Sequence, residues 1–509
     1  MSLWQLIRAA AAAAPGRVVL ADDHGRSLTT VQFRDAAERV AAGLGVRPGT
    51  VVSWQLPTAL ETVVLLAALA RAGAVQNPII PALREREIRF ITGAVGTELF
   101  ITATTWHGFG HAAMARDLGL KVIGLELEEG AGGPLRLPEG DPSPLPPPPP
   151  PPPPHGDAAA GGCRWLYFTS GTTAAPKGVR HSDESVLASA RGMTGHLGFG
   201  AGDVYPVVFP IAHIGGMSMI VAALRRGGRL VLFDRWDPRA TPERAAAHRP
   251  TILGTAQPFF LAYLDAQRRH GEPLFPALRT CVAGGAPTPP ELLAELTETF
   301  GIRGVVSSWG LTEFPVATCA APGDPPEVLA RTAGRACPGV SVRSVDGELR
   351  LKGGQCFLGY VDPAHGTGAF DREGWFRTGD LGEVGADGNV RVTGRLKDVI
   401  IRNAENISAA DVEGILLRHP HVADVAVIGL PDERTGERIC AVVVPEPGHT
   451  VSLDELAGHC RAQGAARHAY PAQLEFADAL PRNSLGKILR QQLRDQFAPL
   501  AAASFRPAP

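Results

Sequence analysis

The sequence predicts an α/β protein: a large multi-layer N-terminal domain of β-sheets and packed helices, followed by a small α+β C-terminal domain. Length is the first reason. A chain of 509 residues exceeds what one hydrophobic core organises, since cores stop growing beyond about 250–300 residues. The second is rhythm. Residues 1–130 alternate strand-like runs (Val51–Leu56, Leu99–Thr102) with alanine-rich helical stretches (Val31–Leu44, Ala59–Arg71), the pattern of sheets covered by helices. The third is a change of texture after Gly394 and Arg395. Ala409–His419 and Leu453–Gln463 read as helices there, Val422–Gly429 and Ile439–Val444 as β-branched strands. The expected division is therefore residues 1–394 and 395–509.

Composition narrows the class. Apolar residues make up 45% of the chain and the formal net charge is -2, so a buried interior is available and no basic excess points to nucleic acid. Met1–Ala14 carries Arg8 inside its apolar stretch, which suits a surface helix ending at Pro15 and Gly16 better than a signal peptide. The longest apolar run, Val63–Ala70, falls short of the ~20 residues of a membrane span. Seven scattered cysteines without a C-x-x-C read as free thiols in a reducing, cytoplasmic setting. The proline run at 142–154 should be extended polyproline II, an exposed spacer looped out of the first domain.

The densest chemical signal lies between Tyr167 and Val179. A strand ends at Phe168, and the hydroxyls of Thr169, Ser170, Thr172 and Thr173 then surround Gly171, with Lys177 following. Glycine lets backbone amides approach a phosphate, the hydroxyls add donors, and the ammonium supplies a point charge. No G-x-x-x-x-G-K-[ST] is present, so this is not a Walker loop. Only five lysines occur (121, 177, 352, 397 and 487) against a background of arginine. A lysine kept against that background suits a position where a compact ammonium is needed and a planar guanidinium will not serve, with chance as the rival explanation for any single one.

The stretch resembles the phosphate loop of the adenylate-forming superfamily, which includes acyl-CoA synthetases. Further matches follow in order: Phe209–Met217 to the acid-pocket segment, Ser308–Glu313 to the adenine and magnesium segment, Trp375–Asp380 to the ribose segment, Gly394–Asp398 to the hinge, and Pro481–Lys487 to the catalytic lysine loop. The resemblance spans roughly residues 35–500. It implies an acid–CoA ligase that forms an acyl-AMP from ATP and a carboxylic acid, with Mg2+, and then passes the acyl group to coenzyme A.

Roles follow by resemblance. Thr169, Ser170, Gly171, Thr172, Thr173 and Lys177 hold ATP phosphates. Trp309 and Gly310 face adenine, and Thr312 the α-phosphate. Glu313 holds Mg2+, as a carboxylate leaving that ion several waters can. Asp380 and Arg395 take ribose and phosphate. Lys487 bridges carboxylate and α-phosphate, His213 lines the meeting of acid pocket and thiol channel, and Lys397 is the hinge on which the small domain rotates between half-reactions. Ile211, Ile214, Met217, Phe259, Val282, Ala283 and Gly285 form the acid pocket. All are apolar or small, which favours a fatty, alicyclic or aryl acid over an amino acid.

Two departures bear on this. Ala174 stands where the family's phosphate loop usually has glycine. Asn403 and Ala404 stand where CoA-using relatives often have two glycines, so a methyl narrows the CoA passage. A separate acyl carrier protein as acceptor, a non-catalytic nucleotide binder and a homodimeric assembly stay open.

Overall fold

Parallel β-branched strands joined by helical crossovers build the centre of the N-terminal region. In the computed structural model a seven-stranded sheet runs Gly359–Tyr360, Gly178–His181, Trp165–Phe168, Val75–Ile79, Val51–Gln55, Leu99–Ala103, Val122–Leu125. The structure describes residues 1–127, 133–150, 162–169, 176–285, 288–402, 405–432, 434–483 and 486–503. Val51–Gln55 pairs in parallel with Val75–Ile79 and Leu99–Ala103, so helices must return the chain across the faces. One of them, Leu60–Ala72, has hardly a residue open to solvent. That is why its sequence lacks an amphipathic period and reads as one apolar run. Its C-cap Gly73 adopts φ +72°, the left-handed stop that favours glycine.

A five-stranded sheet (Ile252–Thr255, Thr280–Ala283, Val305–Leu311, Phe314–Cys319, Arg335–Ala336) and a four-stranded one around Val18–Asp22 and Arg229–Leu232 complete this part. The described part of the proline run, residues 142–150, has no helix or strand and no buried residue, as an exposed spacer should, and it is also held in place. Arg71 donates to the Pro146 carbonyl at 2.8 Å, and Pro149 lies where a Cβ on Gly73 would sit. The run is pinned against the end of a buried helix, because proline carbonyls remain acceptors although their nitrogens donate nothing; residues 151–154 lie outside the described residues.

Among the described residues two compact units form: Met1–Ser170, Pro176–Ser341 and Leu351–Phe376 in the first, Val342–Arg350 and Arg377–Pro509 in the second. The second unit is built on the long antiparallel pair Val422–Asp432 and Gly436–Pro445. Successive side chains point to opposite faces. Val425, Val427, Ile439, Ala441 and Val443 therefore pack with the helices Ala409–Leu416 and Leu453–Ala462, while Ala426, Ile428, Leu430, Cys440 and Val442 pack with Leu493 and Phe497 of the helix Arg490–Ala503. Full burial of Leu493 and Phe497 is worth about 1.5–3 kcal/mol each. Among the described residues no helix is long and apolar enough to cross a membrane, and all seven cysteines are unpaired.

Candidate active site

In the first unit, Trp165–Phe168 and Gly178–His181 pair antiparallel, with Phe168 opposite Gly178. Just beyond that pair the Thr169 amide donates to the Lys177 carbonyl at 3.0 Å, and the Lys177 amide donates to Thr169 Oγ1 at 3.3 Å. Thr169 and Lys177 thus close the base of the hydroxyl-rich loop. Ser170, Gly171, Thr172 and Thr173 lie outside the described residues, as does Ala174.

The Lys177 ammonium stands over the Tyr360 ring, 5.4 Å from its centroid, a cation–π contact. The Tyr360 hydroxyl donates to Glu313 Oε1 at 2.8 Å. Burial and then the Glu313 carboxylate push the tyrosine pKa upward, so the phenol keeps its proton and remains the donor. The Glu313 carbonyl accepts from the Phe357 amide at 2.9 Å. The preceding carbonyl, of Thr312, faces His181 Nε2 at 2.7 Å. Burial lowers the His181 pKa to about 4, so its ring is neutral. A carbonyl only accepts, which places the proton on Nε2 and leaves Nδ1 as an acceptor 2.9 Å from Ser185 Oγ.

Trp309, Gly310 and Thr312 lie where the strands Val305–Leu311 and Phe314–Cys319 turn back on each other, with Trp309 opposite Thr318. A Cβ on Gly310 would come 2.5 Å from the Val316 amide nitrogen, so only glycine permits this approach. His213 caps the helix Ile214–Arg226, its Nδ1 accepting from the Gly215 amide at 3.1 Å. Burial lowers its pKa to about 4. Ile211, Ile214, Met217, Phe259, Val282 and Ala283 are all buried. Gly285 is exposed, with φ +82°. Trp236, which sequence reasoning passed over, stands edge-on to Phe259 with ring centroids 4.8 Å apart.

The second unit holds a different constellation. Antiparallel pairing sets Asp380 opposite Arg395, and the guanidinium Nε bonds the buried carboxylate. The Asp380 amide donates to Thr378 Oγ1 at 3.0 Å, and that hydroxyl donates to the Leu349 carbonyl at 2.6 Å. Lys487 is fixed by its backbone. Its amide donates to Asn483 Oδ1 at 2.9 Å, its carbonyl accepts from the Asn483 amide at 2.9 Å, and Gly486 turns the chain with φ +79°. Arg482 locks this turn by donating to the Gly486 carbonyl at 2.6 Å and to Asp424 at 2.7 Å.

The Lys487 ammonium has its pKa lowered to about 8, first by burial and then by Arg395 and Lys397, with Asp380 and Asp398 opposing. Lys397 and Asp398 share the short 3-10 turn Leu396–Asp398. Arg490, 3.9 Å from Asp398, is anchored at 2.6 Å on buried Glu413. Asn403 and Ala404 lie outside the described residues.

The structure therefore brings Lys177 and Glu313 into one chain through Tyr360, and Asp380, Arg395, Lys397 and Lys487 into one electrostatic neighbourhood. Tyr360, His181, Asn483 and Arg482 were missed. Asn483 with Gly486 was findable as a side-chain-capped turn. Nothing local distinguishes Tyr360 from the other tyrosines of the chain.

Residues 7–361 match the family described as AMP-binding enzyme, and residues 411–487 match the AMP-binding enzyme C-terminal domain. The chain is 31% identical to the medium-chain fatty-acid–CoA ligase of Escherichia coli (strain K12), over 95% of this chain and 88% of that protein. It is 34% identical to the salicyl-AMP ligase / salicyl-S-ArCP synthetase of Mycobacterium tuberculosis, with the same two coverages of 95% and 88%. Among solved structures, o-succinylbenzoate CoA synthetase from Bacillus subtilis with its acyl-adenylate superposes with a TM-score of 0.81 at 26% identity, covering 97% of this chain and 98% of that one. The chain belongs to the AMP-binding enzyme family and has the adenylate-forming ligase fold. Within that class it stands with the ATP-dependent acid–CoA ligases.

Proposed function

We propose that this chain activates an apolar carboxylic acid, fatty, alicyclic or aryl, and transfers it to coenzyme A. A carboxylate oxygen attacks the α-phosphorus of ATP, the bond to pyrophosphate breaks, and acyl-AMP remains. The CoA sulfur then attacks the acyl carbon, AMP leaves, and the thiol proton goes to solvent.

The observation that carries this reading is the Lys487 ammonium, held by its backbone within the field of Asp380 and Arg395. An ammonium placed there stabilises charge on the attacking carboxylate and the α-phosphate. Arg395, bonded to Asp380, orients that carboxylate for ribose hydroxyls. Lys177 binds the polyphosphate at the closed base of its loop. His213 is neutral with Nδ1 engaged, so its role is to donate from Nε2 rather than to take a proton.

Glu313 fits a magnesium ion. The described residues give its carboxylate one hydrogen bond, to Oε1, which leaves the other oxygen for a cation that keeps several waters. When bound, Mg2+ neutralises charge on the phosphate oxygens. Lys397 is the hinge about which residues beyond 394 turn between the half-reactions, and Asn403 and Ala404 flank the CoA passage. The buried apolar wall from Ile211 to Ala283 supplies no carboxylate for a substrate ammonium, and the medium-chain fatty-acid specificity named for one relative agrees.

A panel of acids tests this by pyrophosphate release, followed by AMP release with and without CoA. Pyrophosphate with fatty or aryl acids and CoA-dependent AMP release are expected; no pyrophosphate with any acid would sink the reading. The relative named as a salicyl-S-ArCP synthetase favours a second reading, in which a separate carrier protein supplies the thiol. Pyrophosphate release without CoA consumption would select it. Every residue in this scheme comes from one chain, so a homodimer would leave the chemistry unchanged.

A further inference from the structure

We infer that Tyr360 is a positioning residue for the metal and the triphosphate: its hydroxyl aims the Glu313 carboxylate, and its ring keeps the Lys177 ammonium from neutralising that carboxylate. This rests on the assignment of Glu313 to Mg2+ and of Lys177 to phosphate.

Lys177 and Glu313 have opposite charges and both contact one side chain, Tyr360. Left to themselves at close range, a lysine and a half-desolvated carboxylate pair. Among the described residues no carboxylate lies within ion-pair distance of Lys177. The aromatic face takes the ammonium and the phenol proton takes Oε1. A neutral donor is suited to this task. It fixes the carboxylate rotamer as a hydrogen bond to a charged acceptor does, yet leaves the full negative charge for a divalent ion. An arginine or lysine in its place would consume that charge.

Tyr360 is itself held. Its strand pairs with Gly178–His181, setting Tyr360 opposite Val179. Its ring packs edge-on against Phe357, with centroids 4.9 Å apart, and the neighbouring Phe357 amide holds the Glu313 carbonyl. Backbone and side chain of Glu313 are thus anchored by the same short segment. The loop that carries Lys177 is tied to that segment too, since the Val361 amide donates to the Gly178 carbonyl at 2.8 Å.

The test is equilibrium binding rather than turnover. Mn2+ binding to the enzyme with a non-hydrolysable ATP analogue is followed by electron paramagnetic resonance, and binding of the analogue in EDTA by calorimetry. Tyr360→Phe keeps the ring and removes the proton. It should raise the Mn2+ dissociation constant about 3–10-fold, the value of one hydrogen bond, and leave metal-free nucleotide affinity within about twofold. Tyr360→Leu should weaken both, because Lys177 and Glu313 then neutralise each other. In a Glu313→Gln background, Tyr360→Phe should add nothing to the metal constant. An unchanged Mn2+ constant in folded Tyr360→Phe, or an equal loss in the Glu313→Gln background, overturns the inference. If Tyr360→Phe does not fold, Glu313→Asp with Tyr360 intact, whose carboxylate is drawn back from the hydroxyl, reads the same coupling: it should raise the Mn2+ constant at least about 3-fold and leave metal-free nucleotide affinity within about twofold, and an unchanged Mn2+ constant overturns the inference. If the wild-type enzyme binds no nucleotide at all, it is the ligase reading that fails.

Discussion

In the first unit Lys177 and Glu313 are engaged by one neutral side chain rather than by each other: the ammonium rests over the Tyr360 ring and the carboxylate accepts from its hydroxyl. In the second unit the charged groups are crowded: Arg395, Lys397 and Lys487 gather around Asp380 and Asp398, and the Lys487 pKa falls to about 8. On the roles proposed above, the contrast follows from what each region would hold. A metal carboxylate is useful only while its charge is uncompensated. A lysine that acts at a transient negative centre gains from being partly desolvated among like charges, because its ammonium is then hungry for the phosphate and carboxylate oxygens. One region stores its charge by separation, the other by repulsion.

That comparison is most exposed at Lys487. Lys487→Ala should lower acyl-adenylate formation by about 10²–10³-fold, the order of removing one transition-state donor. Thioester formation from supplied acyl-adenylate should stay largely intact. Equal loss in both half-reactions, measured as pyrophosphate release and as AMP release, contradicts the assignment of Lys487 to the first step alone.

The scaffold of the crowded region is next. Glu413 is buried, accepts from the Val427 amide at 2.8 Å and pairs with Arg490. Glu413→Ala strands the guanidinium and should cost about 3–5 kcal/mol in the denaturant transition that reports the second unit. A loss below about 1 kcal/mol would mean that water or Asp398 compensates Arg490.

The pH profile sharpens the repulsion argument. The ammonium is the active form and is complete below its pKa. Pyrophosphate release should therefore hold at neutral pH and fall about tenfold per pH unit above the inflection near 8. Lys397→Gln removes one of the cations that lower this pKa, so the inflection should move upward. An inflection that stays fixed would leave burial and Arg395 as the causes. The smallest effect is expected at Ala404. Ala404→Gly should leave pyrophosphate release unchanged and preserve or modestly speed transfer to CoA, and slower transfer in a stopped assay from acyl-adenylate would refute the narrowed-passage argument.

Legibility differed between the two regions. The strand that ends at Phe168 was readable from its local pattern, while the hydroxyls and glycine that follow it lie outside the described residues. The strands and helices of residues 409–463 were readable because β-branched alternation and helical period are local signals. The proline run was legible in part. Its composition speaks of an exposed, extended segment, and none of its described residues is buried, but it says nothing of Arg71, whose guanidinium reaches the Pro146 carbonyl from a helix more than seventy residues earlier. Tyr360 and His181 were invisible for the same reason. His181 is buried against the Thr312 carbonyl, a partner 131 positions away, and no window of sequence contains both.

The sequence by itself determined the class of chemistry, since its phosphate, acid, ribose and lysine segments resemble, in the same order, those of the adenylate-forming enzymes. Tertiary structure alone decided how those charges are tuned. Which carboxylate keeps its charge, which lysine loses part of its proton affinity and which neutral side chain engages a lysine and a carboxylate at once depend on contacts across distant segments, and electrostatic energies are fixed by distance and burial, which a linear order of residues does not contain.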